Sequence, residues 1–134
     1  MHHKGRSFIG AALLLRRQGG YEYVSLHLLC QGIEIILKSL LLYHDYDKYK
    51  PLIKKQIGHD LEKAADNVVG EFGRETLKPE PLLELKGLNN LYKDHRLRYG
   101  NGYDLLVDPK TILSERVLRR MSALLRIIDR HISW

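Results

Sequence analysis

A chain of 134 residues with 44% hydrophobic and 28% charged residues is long enough for one core and too apolar for a disordered protein. Its single cysteine, Cys30, excludes an intrachain disulfide and a zinc site built from cysteine pairs, and is typical of a reducing compartment. The formal net charge of +6 favours an acidic partner such as nucleic acid, although a charge of this size also serves solubility alone.

The first predicted helix begins after Ser7, a residue type that caps helices, and ends at Gly19 and Gly20. Its apolar run "FIGAALLL" (8–15) follows basic residues, as in a signal peptide, but "RRQGG" comes next in place of a small-residue cleavage site. The run is also much shorter than the roughly 18–20 apolar residues that cross a bilayer. We therefore expect a core-facing helix in a cytoplasmic protein with no membrane partner.

The second helix is predicted over residues 21–45, which contain no proline and are apolar on almost every side. A helix of this kind lies at the centre of a bundle, so we expect Cys30 to be a small buried hydrophobic residue. Glu34 and Lys38 stand four residues apart in the order that favours an ion pair. A buried Glu34 needs such a partner far more than an exposed one does.

Shorter elements are predicted in the middle of the chain. Residues 46–50 are a polar connector, and Pro51 opens a short helix that stops at Gly58. Asp60 is the expected cap of a third long helix over about 61–72.

The loop at 73–81 contains two prolines and a glycine, and a fourth helix follows it over about 81–95, with leucines at helical spacing. No segment alternates with a period of two. The chain therefore predicts an all-α fold, in which residues 1–134 form a single domain, an up-down bundle of four to five helices.

The last predicted helix starts near Pro109, with Asp108 as its cap. At 100° per residue its apolar residues and its arginines fall on opposite sides. The apolar side consists of Leu113, Val117, Leu118, Met121, Leu124, Leu125, Ile128 and Ile132. The other side consists of Arg116, Arg119, Arg120, Arg126 and Arg130. Such a stripe is either a solvated face or a surface for phosphate or an acidic partner, and the pattern leaves both open.

A cluster of cationic and aromatic residues follows the fourth helix, in the stretch "KDHRLRYGNGYDLL" (93–106). His95, Arg96 and Arg98 are suited to phosphate, because ribonuclease chemistry without a metal needs only a base and cationic donors. Tyr99 can stack on a base. Alternatively, the cluster is structural: the arginines pair with carboxylates such as Glu34, and Tyr99 closes the core.

Motifs of the common enzyme classes are absent from the sequence. There is no phosphate-binding P-loop, no GxGxxG and no GxSxG. His59 and Glu62 form one His-x-x-Glu pair, which is too little for a metal site. We therefore expect neither a metal nor a cofactor.

Three blocks in order carry a family resemblance: "CQGIEIILKSLLL" (30–42), "IGHDLEKAADNV" (57–68) and "LYKDHRLRYG" (91–100). With Glu34 and Lys38 in the central helix, they resemble the HEPN domains (higher eukaryotes and prokaryotes nucleotide-binding). The likeness covers most of the chain. It implies a helical domain, commonly a homodimer, of toxin–antitoxin, defence or RNA-processing systems.

Many HEPN domains are metal-independent ribonucleases, whose motif is an arginine, usually followed by a polar residue, and then a histidine after four to six intervening residues. This sequence departs from that motif, because no histidine follows Arg96 or Arg98 at that distance. One formal match joins Arg126 to His131, although Ile127 stands where the motif usually has a polar residue.

The sequence thus predicts a HEPN-like binding module that contacts a nucleotide, RNA or a protein partner through Arg96, Arg98 and Tyr99, with His59 and His95 at the same surface. Whether it is also an enzyme stays open.

Two alternatives remain. The first is a metal-independent ribonuclease that uses His95 or His131 as base and an arginine such as Arg126 on phosphate. The second is a structural or antitoxin-like protein-interaction domain, which predicts an exposed patch that is apolar and rich in arginine.

Overall fold

The computed structural model describes residues 2–19, 22–92 and 115–131, and within these ranges the regular structure is entirely helical. The elements in chain order are α1 (His2–Arg17), α2 (Glu22–His44), α3 (Tyr46–Leu52), a π-helical turn (Ile53–Ile57), α4 (Leu61–Phe72), α5 (Pro79–Tyr92) and α6 (Glu115–His131). The predicted all-α bundle is confirmed. Within the described residues one helix was not predicted, because the supposed connector at 46–50 is itself helical.

The long apolar helix α2 is the centre of the bundle and contacts α1, α3, α4, α5 and α6. Its buried apolar side chains are Leu26, Leu29, Cys30, Ile33, Ile36, Leu37, Leu40 and Leu41. Full burial of a leucine or isoleucine side chain stabilises a fold by about 1.5–3 kcal/mol, so α2 supplies much of the core. Burial also raises the pKa of the Cys30 thiol far above its ordinary value, which fits the predicted role as an inert hydrophobic residue.

By length and composition alone, the part of α2 from Val24 to His44 is apolar enough to cross a membrane. Most of this part is buried inside the bundle, and the core helix of a soluble protein meets the same criterion. The apolar character of α2 is therefore accounted for by its place at the centre of the bundle.

Helix α1 lies unusually close to α2 because glycines face each other at the contact. A Cβ atom added to Gly32 would lie 2.6 Å from Cγ1 of Ile9 and 3.0 Å from the carbonyl oxygen of Gly5. A Cβ atom added to Gly5 would lie 2.9 Å from Cγ1 of Ile36. Only residues without a side chain allow the two backbones to approach this closely.

Two predicted helix starts are wrong, for local reasons. Helix α1 begins at His2, so Ser7 lies inside it and donates its hydroxyl hydrogen bond to the carbonyl of His3. Helix α5 begins at Pro79 and not at 81, which is possible because the first turn of a helix needs no amide donors.

The predicted connector is a helix because Asp45 caps it, and its carboxylate accepts a hydrogen bond from the amide of Lys48 at 3.2 Å. Pro51 therefore stands near the end of α3 and not at the start of a helix. The π-helical turn then ends at Gly58, as expected, where the left-handed φ of +52° favours glycine.

The carboxylate of Glu71 ties the ends of three helices together. It lies 2.7 Å from Nε2 of His44 and 2.8 Å from Nζ of Lys48, and it accepts a short hydrogen bond from the hydroxyl of Tyr49. The hydrogen bonds from Lys48 and Tyr49 lower the pKa of the Glu71 carboxyl from its ordinary 4.5 to about 2.

Substitution of Gly32 by alanine tests the close approach of α1 and α2. We expect Gly32→Ala to lower the free energy of unfolding by about 1–3 kcal/mol, because the new methyl group overlaps Ile9. Gly10→Ala is the control: Gly10 lies in α1, the helix that packs against Gly32, and no atom lies within 4 Å of an added Cβ. The control should raise the stability by about 0.5–1 kcal/mol. Equal effects in chemical denaturation would contradict the close contact.

Acid should weaken the Glu71 contacts. A carboxyl whose pKa falls on folding stabilises the fold above the unfolded pKa of 4.5, and this contribution is lost as the pH falls towards 2. We expect Glu71→Gln to lower the unfolding temperature at pH 7 and to have almost no effect near pH 2. Glu80→Gln, which alters an exposed ion pair with Arg116, should change little at either pH. A pH-independent effect of Glu71→Gln would exclude this account.

Candidate functional site

A group of polar side chains surrounds Glu34, halfway along α2; we call Glu34, Lys38, His59 and Tyr92 the Glu34 cluster. The Glu34 carboxylate lies 2.7 Å from Nδ1 of His59 and 3.4 Å from Nζ of Lys38, and it accepts a hydrogen bond of 3.2 Å from the Tyr92 hydroxyl. Only 12% of the Glu34 side chain is exposed. The predicted pair of Glu34 and Lys38 is present, and two further parts of the chain, the loop before α4 and the end of α5, meet at the same carboxylate.

The loop that presents His59 is fixed on both sides. Gly58 before it has the left-handed φ that favours glycine, and Asp60 after it caps α4. The side-chain amide of Asn89 donates to the Asp60 carboxylate at 2.8 Å and accepts from the backbone amide of Leu61 at 2.7 Å. Because Asn89 is buried in α5, these bonds hold the loop on the bundle.

The His59 ring is suited to contact a ligand. Its Nδ1 faces an acceptor, so this nitrogen carries the proton and donates to Glu34. The bond fixes the orientation of the ring, and Nε2 lies on the ring edge away from Glu34. The side chain is 53% exposed. A histidine held in this way can contact a phosphate oxygen or exchange a proton with a substrate.

Tyr92, at the end of α5, links the Glu34 cluster to the predicted binding residues. Its ring lies edge-on to that of His59, with centroids 6.2 Å apart, and 5.7 Å from the ring of His27. The chain continues from Tyr92 directly into the stretch 93–106. The predicted binding residues His95, Arg96, Arg98 and Tyr99 lie outside the described residues.

The formal ribonuclease pair is only half described. Arg126 is exposed on α6, whereas the side chain of His131 lies outside the description. Within the described part of the chain, no group of three potential ligands could hold a metal ion.

The predicted apolar side of α6 faces the core, where Val117, Met121, Leu124 and Leu125 are buried. Arg116, Arg119 and Arg126 are exposed, as the helical periodicity predicts, and the side chain of Arg130 is outside the description.

Arg120 departs from the predicted exposed stripe. Its guanidinium donates from Nε to the carbonyl of Thr76 and from Nη2 to the carbonyl of Glu75. Carbonyl groups in the loop before α5 have no helical partner, so they compete successfully for this side chain. Arg120 therefore lies on the predicted side of α6, but its guanidinium is bound to the loop before α5 and is not simply solvated.

The described start of α6 is fixed by α5. The carboxylate of Glu84 accepts hydrogen bonds from the amides of Arg116 and Val117, at 2.7 and 3.0 Å. A carboxylate at this end of a helix also interacts favourably with the helix dipole. The predicted cap, Asp108, and the predicted start near Pro109 lie outside the described residues.

A groove of about 540 Å³ opens between α6 and the start of α5; we call it the arginine groove. Its charged lining residues are Lys78, Glu80, Arg116, Arg119 and Arg120. The other lining residues are Pro79, Pro81 and Ala123. A second trough of about 390 Å³ shares Arg119 and Ala123 with it and adds Leu13, Leu118, Ser122 and Arg126.

The sequence did not predict the groove. The spacing of the arginines predicted a cationic side of α6, but no pattern indicated which loop lies against that side.

Comparison of the chain with protein-family models, with curated proteins and with solved structures found no significant match. The functional argument therefore rests on the Glu34 cluster, the arginine groove and the sequence.

The Glu34 cluster makes a testable contribution to stability. We expect Glu34→Ala to lower the free energy of unfolding by about 3 kcal/mol, because it leaves the nearly buried Lys38 ammonium without its carboxylate. The matched control is Glu62→Ala, which removes an exposed ion pair with Lys86 and should cost less than about 1 kcal/mol. Adding Lys38→Met to Glu34→Leu should recover most of the stability in urea denaturation. If Glu34→Ala lowered the free energy of unfolding no more than Glu62→Ala does, the contribution of the Glu34 cluster to stability would be contradicted.

Proposed function

We propose that this chain is a HEPN-like helical module that binds RNA or a nucleotide at the corner of the bundle next to His59. The other contacts come from four residues that follow α5 in the chain: His95, Arg96, Arg98 and Tyr99. The observation that carries the proposal is the Glu34 cluster, which brings a half-exposed histidine against Tyr92, the last described residue before the arginine-containing stretch in the chain.

Covalent connection supports a shared surface. The rings of Tyr92 and His59 are in contact, with centroids 6.2 Å apart. An extended chain covers at most about 3.6 Å per residue, so His95 starts within about 11 Å of Tyr92 and Arg96 within about 14 Å. The length of the connecting chain therefore allows one nucleotide chain to contact His59 and both of these residues.

The chemistry of the residues favours a phosphate ligand. An arginine guanidinium donates two parallel hydrogen bonds to phosphate oxygens, and a tyrosine ring offers a stacking surface to any base. The net charge of +6 adds long-range attraction to a polyanion.

Binding of a fluorescein-labelled single-stranded RNA, followed by anisotropy at low salt, tests the proposal. We expect Arg96→Ala with Arg98→Ala to weaken binding at least tenfold. Loss of two phosphate contacts should also reduce the slope of log K against log salt by about 1.4. Arg16→Ala with Arg17→Ala removes the same charge from the exposed end of α1 and is the matched control.

Two results would reject the proposal: unchanged binding in the Arg96/Arg98 double variant, or an equal loss in the control, which would show that only net charge matters. His59→Ala should weaken binding while the circular dichroism spectrum stays that of folded helices.

The ribonuclease alternative stays a prediction and has its own readout in the same samples. Gel analysis of the RNA after incubation in EDTA shows whether it has been cut. Cleavage that His95→Ala or His131→Ala abolishes would establish that alternative, whereas intact RNA fits a binding module.

A further inference from the structure

The arginine groove is strongly cationic. Its charged lining side chains are four cations, Lys78, Arg116, Arg119 and Arg120, and one carboxylate, Glu80, which leaves a net charge of +3. Two of the cations are already engaged: Arg120 binds loop carbonyls, and Arg116 lies 3.5 Å from Glu80.

Two cations in the groove remain available to a ligand. Lys78 and Arg119 are exposed and make no ion pair with another described side chain. The same holds for Arg126 in the adjoining trough. These three positive charges therefore have no counter-ion within the described bundle, and an acidic partner would supply one.

Apolar residues separate the cations. Pro79, Pro81 and Ala123 line the groove, and Leu13 and Leu118 line the trough beside it. From Arg116 to Arg126 the surface follows ten residues of α6, which is about 15 Å. This length fits about three turns of a docked helix.

The composition favours a protein over a nucleic acid as occupant. None of the described residues that line the groove and the trough is aromatic, whereas surfaces that bind single-stranded nucleic acid use aromatic rings to stack bases. Protein interfaces are rich in arginine and poor in lysine around an apolar centre, and here arginines outnumber lysines.

We infer that the arginine groove docks an acidic amphipathic segment of a partner protein. Carboxylates of the segment pair with Arg119, Arg126 and Lys78, and its aliphatic side chains lie against the prolines, Ala123 and the leucines of the adjoining trough. This surface is separate from the proposed RNA surface. The groove lies at the start of α5, where Glu84 contacts the described start of α6, and the RNA surface lies at Tyr92, the other end of α5. Eight residues of helix, about 12 Å, separate Glu84 from Tyr92.

The test uses a synthetic helical peptide that carries glutamates and leucines on one face. We expect it to shift the backbone amide signals of Ser122 and Ala123 in a nuclear magnetic resonance titration that saturates. Charge reversal by Arg119→Glu with Arg126→Glu should weaken the peptide at least tenfold. Arg16→Glu with Arg17→Glu, on the exposed end of α1, is the matched control and should have little effect.

A charge swap guards against a variant that has merely unfolded. The Arg119→Glu and Arg126→Glu variant should bind a peptide with lysines in place of the glutamates better than the original chain does. The Arg96→Ala and Arg98→Ala variant should keep its affinity for the acidic peptide, so failure of the RNA proposal leaves this one standing.

Three outcomes would overturn the inference. The first is the absence of a saturable shift up to millimolar peptide. The second is equal binding of a peptide with serines in place of the leucines, which would reduce the effect to unspecific charge. The third is displacement of the peptide by oligouridylate with the same signals shifted, which would assign the groove to nucleic acid.

Discussion

The structure depends on the burial of α2, a helix that is apolar on almost every side and therefore has to be covered on every side. The other helices provide that cover, and most of their own stability comes from packing an apolar face against the core. A carboxylate placed in such a helix cannot stay without partners. Glu34 is accordingly surrounded by Lys38, His59 and Tyr92, and its bond to His59 fixes the orientation of the half-exposed ring.

The cover is not uniform, and its tightest part has a specific cause. At Gly5 and Gly32 the backbones of α1 and α2 meet with no side chain between them. Elsewhere polar side chains connect the helices: Glu71 contacts the ends of α2 and α3 from the end of α4, and Glu84 of α5 accepts a hydrogen bond from the described start of α6. Close packing thus holds α1 on one side of α2, and the carboxylates of Glu71 and Glu84 connect the remaining helices to their neighbours.

What the sequence could predict follows from the range of each interaction. The helical character of α2, the burial of Cys30 and the Glu34–Lys38 pair depend on neighbours within a few turns, and all three are confirmed. The bonds from Glu34 to His59 and Tyr92 span 25 and 58 residues, so periodicity carries no information on them. The same holds for Arg120: helical periodicity predicted its side of α6 correctly, but not that its guanidinium binds a carbonyl 44 residues away in the sequence.

Both proposed surfaces use arginine as their main cation, but they differ in the side chains that lie between the arginines. This difference is the argument for two different partners. At the His59 corner the neighbours are rings, from Tyr92 and, in sequence, Tyr99, which suit the flat faces of bases. In the arginine groove the neighbours are prolines and an alanine, and in the adjoining trough they include leucines; all of these suit aliphatic side chains. A guanidinium pairs equally well with a phosphate or a carboxylate. In the two proposals, the apolar surroundings of the arginines therefore distinguish the class of anion that each surface would bind.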